Sequence, residues 1–359
     1  MKKKLLFTAY NLEIGGIETA LVNLLDNINY DKYEVTLVLE EKEGPLLERI
    51  NKNVIVKELK VSNNSFAPFR KMINFTRKTI FKLKNNKKYD FSCCYATYSY
   101  SGNKLALIAS DNSMLYVHSN YVDLYKNDES LIRNFFDTRN IDKYKYITFV
   151  SNESKKDFLK YYPDYKEKTK VFNNFIDVEK VIKKSHEKIN EKRPNNKKLF
   201  VFIGRLDDSS KKLGRAINLI KEIDNTVLWI VGDGPDRKVY EREVKINKLD
   251  GRIKFFGKKD NPYPYMDLAD YIILTSDYEG FPVTYLEAIS LNKNIITTIS
   301  VSDDKIDMKE IASIISKDKN KMIKETKEIL KQKKKVVNIS IYKVQKERIK
   351  ELEKIFDNE

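Results

Sequence analysis

The sequence predicts an α/β protein with two domains, each built on a parallel β-sheet with helices on both faces. Three observations lead to this prediction. The chain has 359 residues, which is long for one typical domain and suits two. Short apolar runs typical of strands alternate with helical patterns from end to end, as in parallel sheets. The alternation is interrupted once, by a polar and charged stretch over residues 177–197.

The first half of the chain begins with a strand-like run and continues in the same alternating pattern. Each run is short and apolar, and a helical pattern or a polar loop follows it. The predicted strands cover residues 5–10, 33–39, 54–59, 91–95, 113–118, 146–151 and 170–173. The clearest helical patterns between them cover residues 18–27 and 103–109.

The stretch over residues 177–197 resembles a linker, and after it the alternation begins again. The strands predicted there cover residues 198–203, 227–231, 253–256, 271–275 and 294–298, and the helices cover residues 213–223, 237–249 and 282–291. We therefore expect an N-terminal domain over residues 1–177, a C-terminal domain over residues 178–338 and an amphipathic helix over residues 339–359. Ligands of open α/β sheets bind outside the carboxyl ends of the strands, and two such domains would leave a cleft between them.

The composition limits the class of protein and its compartment. The net charge of +16 suits nucleic acid or anionic lipid as a partner. No run of about 18 apolar residues predicts a membrane span, and the apolar start over residues 5–10 is too short for a secretory signal. The adjacent Cys93 and Cys94 are poorly placed to form a disulfide, which favours a reducing compartment. The two histidines, His118 and His186, form no zinc-site pattern with them.

Two segments could bind a phosphate group at the end of a strand. Gly15 and Gly16 follow the first strand and open a helix, so backbone amides could approach an anion closely. In the second domain Arg205 ends a strand, and Lys211 and Lys212 precede the next helix. Arg205 and one of these two lysines could hold a diphosphate together. A tight turn without a ligand explains the two glycines equally well. A solvated basic loop likewise explains the arginine and the two lysines.

The most specific segment is the loop and helix over residues 275–288, which follow a predicted strand. Pro282 suits the first position of a helix, whose N-terminal amides would face a ligand. Glu279 in the loop and Glu287 in the helix could accept hydrogen bonds from the hydroxyl pairs of a sugar and a ribose. The alternative is that Glu279 only stabilises the helix dipole and Glu287 is solvated. The candidate donor-binding residues here are Glu279, Gly280, Phe281, Pro282, Val283, Thr284 and Glu287.

Taken together, these segments resemble the retaining glycosyltransferases of family 4. The matching segments occur in the family's order and cover most of the chain: Gly15-Gly16-Ile17-Glu18, Tyr116-Val117-His118-Ser119, Val150-Ser151, Asn174-Phe175-Ile176-Asp177, Gly204-Arg205-Leu206, Val231-Gly232-Asp233-Gly234-Pro235 and Glu279 to Glu287. The resemblance implies the GT-B fold, with an N-terminal acceptor domain, a C-terminal donor domain and a C-terminal helix that returns to the N-terminal domain.

The resemblance also implies residue roles. Glu279 would contact the donor sugar and Glu287 the ribose, while Arg205 and Lys211 would hold the diphosphate, with Lys212 the other candidate. Gly15 and Gly16 would let backbone amides approach the phosphates closely, and His118 would lie beside the transferred sugar. A lone histidine at a strand end is more often structural. The sequence departs from the family pattern in one place, because residues 292–317 contain no glycine after the helix that carries Glu287.

The activity implied is transfer of a hexose-type sugar from a nucleotide-diphosphate donor, for which we expect UDP, with retention of configuration. Catalysis would depend on positioning and on electrostatic stabilisation of the leaving diphosphate. No Asp-x-Asp motif lies at a strand end near these residues, and fixed cations can replace a metal ion. We therefore expect a metal-independent enzyme without a cofactor.

A basic amphipathic helix is predicted over residues 68–88, which carry eight Lys or Arg and no acid. Its apolar face holds Phe69, Met72, Ile73, Thr76, Ile80 and Leu83, and its cations include Arg70, Lys71, Arg77 and Lys78. Such a helix is typical of membrane surfaces, and it lies in the predicted acceptor domain. We expect a cytoplasmic protein attached to the inner face of the plasma membrane, with a sugar or polyprenyl-linked acceptor. The alternative is a helix that packs its apolar face on the core.

Other functions fit parts of the sequence. An inactive glycosyltransferase-like partner subunit would share the fold, and so would a sugar-nucleotide epimerase, which needs no acceptor. The presence of Glu279, Glu287, Arg205 and His118 argues against the inactive partner. Specific nucleic-acid binding is not expected, because aromatic residues are not interleaved with the basic runs.

Overall fold

A computed structural model gives the fold and describes residues 1–62, 65–332 and 339–358. The chain divides into two compact units. Unit 1 contains Met1–Ile176 and Lys343–Glu359, and unit 2 contains Asp177–Tyr342. The predicted domain limit at residue 338 lies outside the described residues. No helix in the described ranges is both long enough and apolar enough to cross a bilayer.

Unit 1 is built on a seven-stranded sheet in which every neighbouring pair of strands is parallel. Its strands are β1 Lys3–Ala9, β2 Tyr33–Leu39, β3 Val54–Glu58, β4 Phe91–Cys94, β5 Ser113–Val117, β6 Tyr146–Phe149 and β7 Thr169–Val171, in the spatial order β3-β2-β1-β4-β5-β6-β7. The central strands are almost completely buried, as expected where helices cover both faces. The fold class predicted for this half of the chain is confirmed.

Helices connect the strands of unit 1. They are α1 Gly16–Asp26, α2 Ala67–Asn85, α3 Tyr100–Ala109, α4 Tyr121–Leu124, α5 Glu129–Asp137 and α6 Asn152–Tyr161, with short 3₁₀ turns at Pro45–Arg49, Ile141–Lys143 and Pro163–Lys168. Cys93 and Cys94 lie buried in β4 as free thiols. Burial raises the pKa of the Cys94 thiol to about 12, so it stays protonated at neutral pH.

Unit 2 contains a second all-parallel sheet of six strands. Its helices and strands are α7 Val178–Ser185, β8 Lys198–Ile203, α8 Leu213–Glu222, β9 Thr226–Val231, α9 Arg237–Ile246, β10 Ile253–Gly257, α10 Tyr263–Leu268, β11 Tyr271–Leu274, α11 Val283–Ser290, β12 Asn294–Thr297, α12 Met308–Ile311, β13 Ser313–Ile314 and α13 Lys319–Lys331. The spatial order of the strands is β10-β9-β8-β11-β12-β13.

The predicted linker over residues 177–197 is wrong in its first half, where α7 forms. Asp177 caps this helix, because its carboxylate accepts the backbone N–H of Lys180. Val181 is buried, and the helix packs against α10 and α11. One turn of apolar spacing in a strongly charged stretch was too weak a pattern to identify a helix of eight residues.

The C-terminal helix, α14 Ile341–Asp357, belongs mainly to unit 1. Phe356 packs edge-on against Phe7 and Tyr33 and also contacts Phe91, so the end of the helix completes the core beside β1 and β4. The Asp357 carboxylate lies 2.7 Å from the Lys3 ammonium. The buried aromatic contact is the main source of stability here, since exposed ion pairs contribute little.

Each sheet has one point at which the strand order reverses. In unit 1 the reversal lies between β1 and β4, and in unit 2 it lies between β8 and β11. Loops that leave the carboxyl ends of such strands form the usual ligand-binding edge of an open parallel sheet. The candidate phosphate-binding and donor-binding residues lie in these loops or in α11, which follows one of them, and His118 lies directly after β5, the strand beside β4. The candidate cations of the membrane side lie in α2 instead.

Candidate functional site

The loop after β8 is held by close backbone packing against the turn after β9. A Cβ atom at Gly232, whose φ is 148°, would lie 1.9 Å from the Gly204 carbonyl oxygen, and one at Gly234 would lie 2.3 Å from that of Leu206. The Leu206 N–H donates to the Asp233 carbonyl at 2.9 Å. Only glycine permits this approach. The turn after β9 therefore positions the backbone around Arg205.

The loop after β11 is fixed from three sides. The Thr275 hydroxyl donates to the Lys212 carbonyl at 2.9 Å, and the Asp277 N–H donates to the Ser210 carbonyl at 2.8 Å. The Thr298 hydroxyl donates to the Ser276 carbonyl at 2.6 Å. These bonds join the loops after β8 and β11 into one rigid edge of the sheet.

Lys211 and Glu279 meet at this edge. The Lys211 ammonium lies 2.6 Å from Glu279 Oε1, and the Ser276 hydroxyl donates to the same oxygen at 2.6 Å. Both side chains are mostly shielded from water. A positive group able to contact a phosphate and a carboxylate able to contact sugar hydroxyls are therefore adjacent.

Lys212 is directed elsewhere. Its backbone is left-handed, with φ at 49°, and this conformation turns the loop into α8. Its ammonium lies 3.1 Å from the Asp208 carboxylate and 3.9 Å from that of Asp277. Asp277 also binds the Arg215 guanidinium at 2.7 Å. Lys211, not Lys212, is the lysine that the fold places beside Glu279.

Arg205 is the most exposed of the three predicted phosphate-binding cations, with 69% of its side chain accessible against 25% for Lys211 and 29% for Lys212. Its closest carboxylate is that of Asp207, at 3.9 Å. The pKa of the Asp207 carboxyl is below its ordinary value, first because the Ser209 hydroxyl donates to it and further because Arg205 and Lys211 lie nearby. The loosely held guanidinium is free to reorient towards a ligand.

Glu287 is buried inside α11, and the hydroxyl of Tyr263 donates to its Oε1 at 3.0 Å. Tyr263 comes from α10, and the sequence analysis did not identify it, since a tyrosine in an apolar stretch carries no specific signal. The helix itself begins at Val283, one residue later than predicted. Pro282 occupies the N-cap position with extended backbone, and Phe281 is buried beside Tyr285. Gly280 is buried in the same loop, and Thr284 lies partly exposed in the first turn.

The glycine-free segment over residues 292–317 forms a compact turn by other means. Ser302 and Asp307 pair in an antiparallel bridge. The Asp303 carboxylate accepts the backbone N–H groups of Lys305 and Ile306 at 2.9 and 2.7 Å. The side chain of an aspartate therefore stabilises a turn for which the sequence offers no glycine.

In unit 1, Gly15 is the N-cap of α1 and Gly16 is its first residue. No side chain caps these amides, and a Cβ at Gly15 would lie 2.3 Å from Glu18 Oε2. Glu18 folds back over the glycine and accepts a hydrogen bond from the Tyr98 hydroxyl at 2.7 Å. The predicted tight strand-to-helix turn is present, with the Glu18 carboxylate lying against its first glycine.

His118 is buried directly after β5, between two aromatic rings. Its ring stacks on Tyr116 at 4.5 Å with an interplanar angle of 9°, and Tyr95 lies 4.5 Å away at 47°. Nδ1 lies 3.0 Å from Asn174 Oδ1, while the buried Nε2 has no hydrogen-bond partner among the described residues. Burial lowers the pKa of His118 to about 4, against smaller opposite effects of Asn174 and of the Tyr95 backbone. The histidine is therefore neutral at pH 7, and one of its two ring nitrogens keeps a lone pair.

The basic helix α2 has its apolar face turned outwards. It packs on the unit through Phe81, with Ile73, Asn74 and Arg77 partly buried beside it. The large apolar side chains on the other face are exposed: Phe69 by 45%, Met72 by 56%, Ile80 by 47% and Leu83 by 77%. The alternative of a core-packed apolar face is therefore wrong. Arg70 and Arg77 are partly buried on the side of the helix that carries Phe81, while Lys71 and Lys78 are exposed.

Comparison with known proteins assigns both halves of the chain. Residues 14–180 match the model of glycosyltransferase family 4, and residues 183–346 match that of the glycosyl transferases group 1. An uncharacterized glycosyltransferase of Methanocaldococcus jannaschii is 25% identical over 288 residues, which are 75% of this chain and 64% of that protein. The chain thus spans less than two thirds of that relative's length.

Two further proteins extend the comparison. The Campylobacter jejuni N-acetylgalactosamine-N,N'-diacetylbacillosaminyl-diphospho-undecaprenol 4-alpha-N-acetylgalactosaminyltransferase is 25% identical over 312 residues, covering 82% of this chain and 80% of its own. The crystal structure of Anabaena HepE in complex with UDP superposes with a TM-score of 0.74 at 13% identity, covering 98% of this chain and 99% of HepE. The two sheets, their order and these matches together show that the chain belongs to the family 4 glycosyltransferases of the GT-B fold.

Proposed function

We propose that the chain transfers a hexose-type sugar from a UDP-linked donor to a sugar or lipid-linked acceptor in the synthesis of cell-surface polysaccharide or glycoconjugate. The observation that carries this proposal is the Lys211–Glu279 pair, at 2.6 Å, on the ligand-binding edge of unit 2. It is supported by HepE, which was crystallised with UDP, and by the Campylobacter relative, whose name specifies a diphospho-undecaprenol acceptor.

In this proposal unit 2 holds the donor. Lys211 and Arg205 bind the diphosphate, and the N-terminal amides of α11 add to the positive field there. Glu279 accepts hydrogen bonds from the donor sugar, and Glu287 accepts them from the ribose diol. Binding exchanges the Lys211–Glu279 contact for contacts to the ligand, so neither charged group is left unpaired when the nucleotide leaves.

Unit 1 contributes polar groups that suit sugars and phosphates. The unused Nε2 of His118 accepts a hydrogen bond from a sugar hydroxyl, and the first-turn amides at Gly15 and Gly16 approach an anion. A neutral imidazole is the right form for the first role, because an imidazolium has no acceptor atom.

The reaction breaks the bond between the anomeric carbon and the diphosphate and forms a bond from that carbon to an acceptor hydroxyl, which gives up its proton. The leaving diphosphate keeps the electron pair, and fixed cations stabilise its charge. We propose that no metal ion or cofactor is required and that configuration is retained. Turnover unaffected by excess EDTA supports the first point, and the anomeric proton coupling in the product's NMR spectrum decides the second.

The exposed stripe on α2 supports peripheral attachment to an anionic membrane. Apolar side chains enter the interfacial region while the exposed lysines of the helix contact lipid phosphates, each contributing about 1 kcal/mol near an anionic surface. We propose that the protein attaches there to the inner face of the plasma membrane, where nucleotide sugars and lipid-linked acceptors meet.

Ligand-induced thermal stabilisation tests the donor assignment. We expect UDP at 100 times its dissociation constant to stabilise the wild type by about 2.7 kcal/mol, and Arg205→Ala to reduce the effect. A UDP-sugar should stabilise the wild type more than UDP does, because Glu279 contacts the sugar. In Glu279→Gln, the UDP-sugar and UDP should therefore give the same stabilisation. If UDP, GDP, ADP and CMP all leave the midpoint unchanged at millimolar concentration, the donor site is wrong and an inactive partner subunit becomes the better interpretation. If a product forms from the nucleotide sugar when no acceptor is present, the result would indicate an epimerase.

A further inference from the structure

Arg215 lies in the first turn of α8, and its guanidinium contacts the loop after β11. Its Nη1 atom lies 3.0 Å from the Thr275 carbonyl oxygen and 2.7 Å from Oδ1 of Asp277. The side chain of Arg215 is 24% exposed and that of Asp277 is 33% exposed, so the contact is largely shielded from water. One arginine therefore holds two residues of the loop that carries Glu279, and the donor contacts assigned above make no use of it.

The stability of α8 does not explain this arginine. The N-terminal end of a helix carries partial positive charge, so a cation in the first turn is unfavourable there. The first turn of α8 contains no acidic residue that could offset it. The compensating carboxylate is that of Asp277, which comes from another segment of the chain. The ion pair therefore serves to join α8 to the loop after β11.

Asp277 is held by contacts to three different segments. Its backbone N–H donates to the Ser210 carbonyl at 2.8 Å, in the loop after β8. Its own carbonyl accepts a hydrogen bond from the ammonium of Lys317, which follows β13. Its carboxylate binds Arg215, and the same nitrogen of Arg215 also reaches Thr275. The contact to Arg215 therefore spans the residue that lies between Thr275 and Asp277.

That residue is Ser276, and it orients Glu279. The Ser276 hydroxyl donates to Glu279 Oε1 at 2.6 Å. Ser276 is completely buried, so its position depends on the backbone on either side of it. Arg215 holds this backbone at both neighbouring residues. The guanidinium in α8 therefore acts on the direction of the Glu279 carboxylate through Ser276.

We propose that Arg215 is a positioning residue, which keeps the Glu279 carboxylate in place when Lys211 turns to the diphosphate. The inference rests on the proposed function, in which binding exchanges the Lys211–Glu279 contact for contacts to the ligand. Once Lys211 has turned away, the Ser276 hydroxyl still orients Glu279. The sugar contact then depends on how firmly the loop after β11 is held. Arg215 itself contacts neither the sugar nor the diphosphate.

The test measures the preference for a UDP-sugar over UDP, as the ratio of their dissociation constants from calorimetry on the full chain. UDP-glucose, UDP-galactose and their two N-acetylamino counterparts are compared, and the one that binds the wild type most tightly is the probe. Arg215→Met should abolish the preference, as Glu279→Gln does. It should also lower turnover by about tenfold or more, because a contact displaced by about 1 Å is lost. UDP itself should bind within about threefold of the wild type, since the charge of Arg215 is already paired with Asp277.

A double variant shows whether Arg215 acts through Glu279. If it does, Arg215→Met/Glu279→Gln should bind the UDP-sugar no more weakly than Glu279→Gln alone, because the second substitution has nothing left to remove. Losses that add in the double variant would overturn the proposal, and so would a wild-type preference in Arg215→Met.

Arg193→Met is the matched control. The Arg193 guanidinium lies 2.6 Å from the carboxylate of Asp270, directly before β11, so this pair is at the opposite end of the same strand. Both variants should lose stability, and only Arg215→Met should change the preference. Equal changes in the two would show a merely structural role and contradict the proposal. Arg215→Lys keeps the charge on a side chain one bond shorter, so it should fold like the wild type and lose part of the preference. A full wild-type preference in Arg215→Lys would contradict the double contact.

Hydrogen exchange separates the proposal from the proposed function, because it needs no ligand. Amides of residues 275–280 should exchange faster in Arg215→Met than in Arg193→Met, and equal exchange would overturn the positioning role. A wild type that binds no nucleotide, or Glu279→Gln with an unchanged preference, would contradict the proposed function instead. Faster exchange in Arg215→Met would then still show that Arg215 holds the loop.

Discussion

The Nδ1 atom of His118 lies 3.0 Å from Oδ1 of Asn174, and this contact favours the tautomer of the buried histidine that carries its proton on Nδ1. Because Oδ1 only accepts, Nδ1 donates to it in this tautomer and Nε2 keeps its lone pair. The position of Asn174 is itself fixed, because its backbone carbonyl accepts the side-chain amide of Gln345 from α14 at 3.2 Å. The C-terminal helix therefore helps to orient a predicted site residue far away in the sequence.

The first prediction concerns acid sensitivity. The pKa of His118 is about 4 in the folded state and 6.5 without burial. As the pH falls below 6.5 the unfolded state takes up a proton that the folded state does not, so stability is complete above 6.5 and is lost towards pH 4. Between about pH 7.5 and pH 5 the wild type should lose about 2 kcal/mol more than His118→Gln in urea unfolding. Parallel losses in the two proteins would show that His118 is solvated in solution.

The second prediction tests Asn174 as a positioning residue. Asn174→Asp places a carboxylate beside Nδ1 and should raise the pKa of His118 above 6.5, because an adjacent negative charge favours the imidazolium. Nitrogen-15 NMR measures this directly, since the chain has two histidines and His186→Gln assigns the spectrum. The wild type should show a neutral ring protonated on Nδ1. Activity of Asn174→Asp should then fall at pH 7, where His118 has lost its acceptor, and should recover at higher pH.

The third prediction separates the two lysines that the sequence left open. Lys211→Met removes the ammonium beside Glu279 and should lower turnover by on the order of 100-fold, since one preorganised charge is lost from the leaving-group site. Lys212→Met is the matched control, because its ammonium pairs with Asp208 and Asp277 instead. We expect less than about a tenfold effect from it. The reverse order of effects would assign the phosphate contact to Lys212.

The fourth prediction concerns the turn beneath Arg205. Gly232→Ala forces a methyl group against the Gly204 carbonyl at a backbone conformation that alanine rarely adopts. We expect a loss of roughly 2 kcal/mol or more in the free energy of unfolding, together with weaker UDP binding. Gly251→Ala is the control, because a Cβ there would meet nothing within 4 Å. An unchanged midpoint in Gly232→Ala would show that the loop after β8 moves freely.

The fifth prediction tests the exposed stripe on α2. Met72→Ser/Leu83→Ser should lower binding to anionic vesicles by about tenfold without changing the melting temperature, because the buried apolar area in water stays the same. Val239→Ser/Ile246→Ser removes equally exposed apolar side chains from α9 in unit 2 and should leave vesicle binding unchanged. Vesicle binding that survives the α2 substitutions at low salt but disappears at high salt would assign the attachment to charge alone.

The sequence by itself determined the strands and the family. Most predicted strands agree with the structure to within one or two residues, since a buried parallel strand is a short apolar run between polar loops. The motifs at strand ends could be found for the same reason, because parallel topology sends every carboxyl end to one edge of the sheet. The sequence missed α7, whose short apolar pattern lies within a charged stretch.

Only the tertiary structure decided which side chains meet. Lys211 and Lys212 are neighbours in sequence, and the left-handed backbone at Lys212 sends one ammonium to Glu279 and the other to Asp208. The periodicity of α2 showed that one face is apolar, but the face it buries depends on where Phe81 and Arg77 find partners. Periodicity in a sequence shows whether a helix face is apolar or polar. Whether that face is buried depends on contacts between residues far apart in the chain, and a single sequence does not contain those contacts.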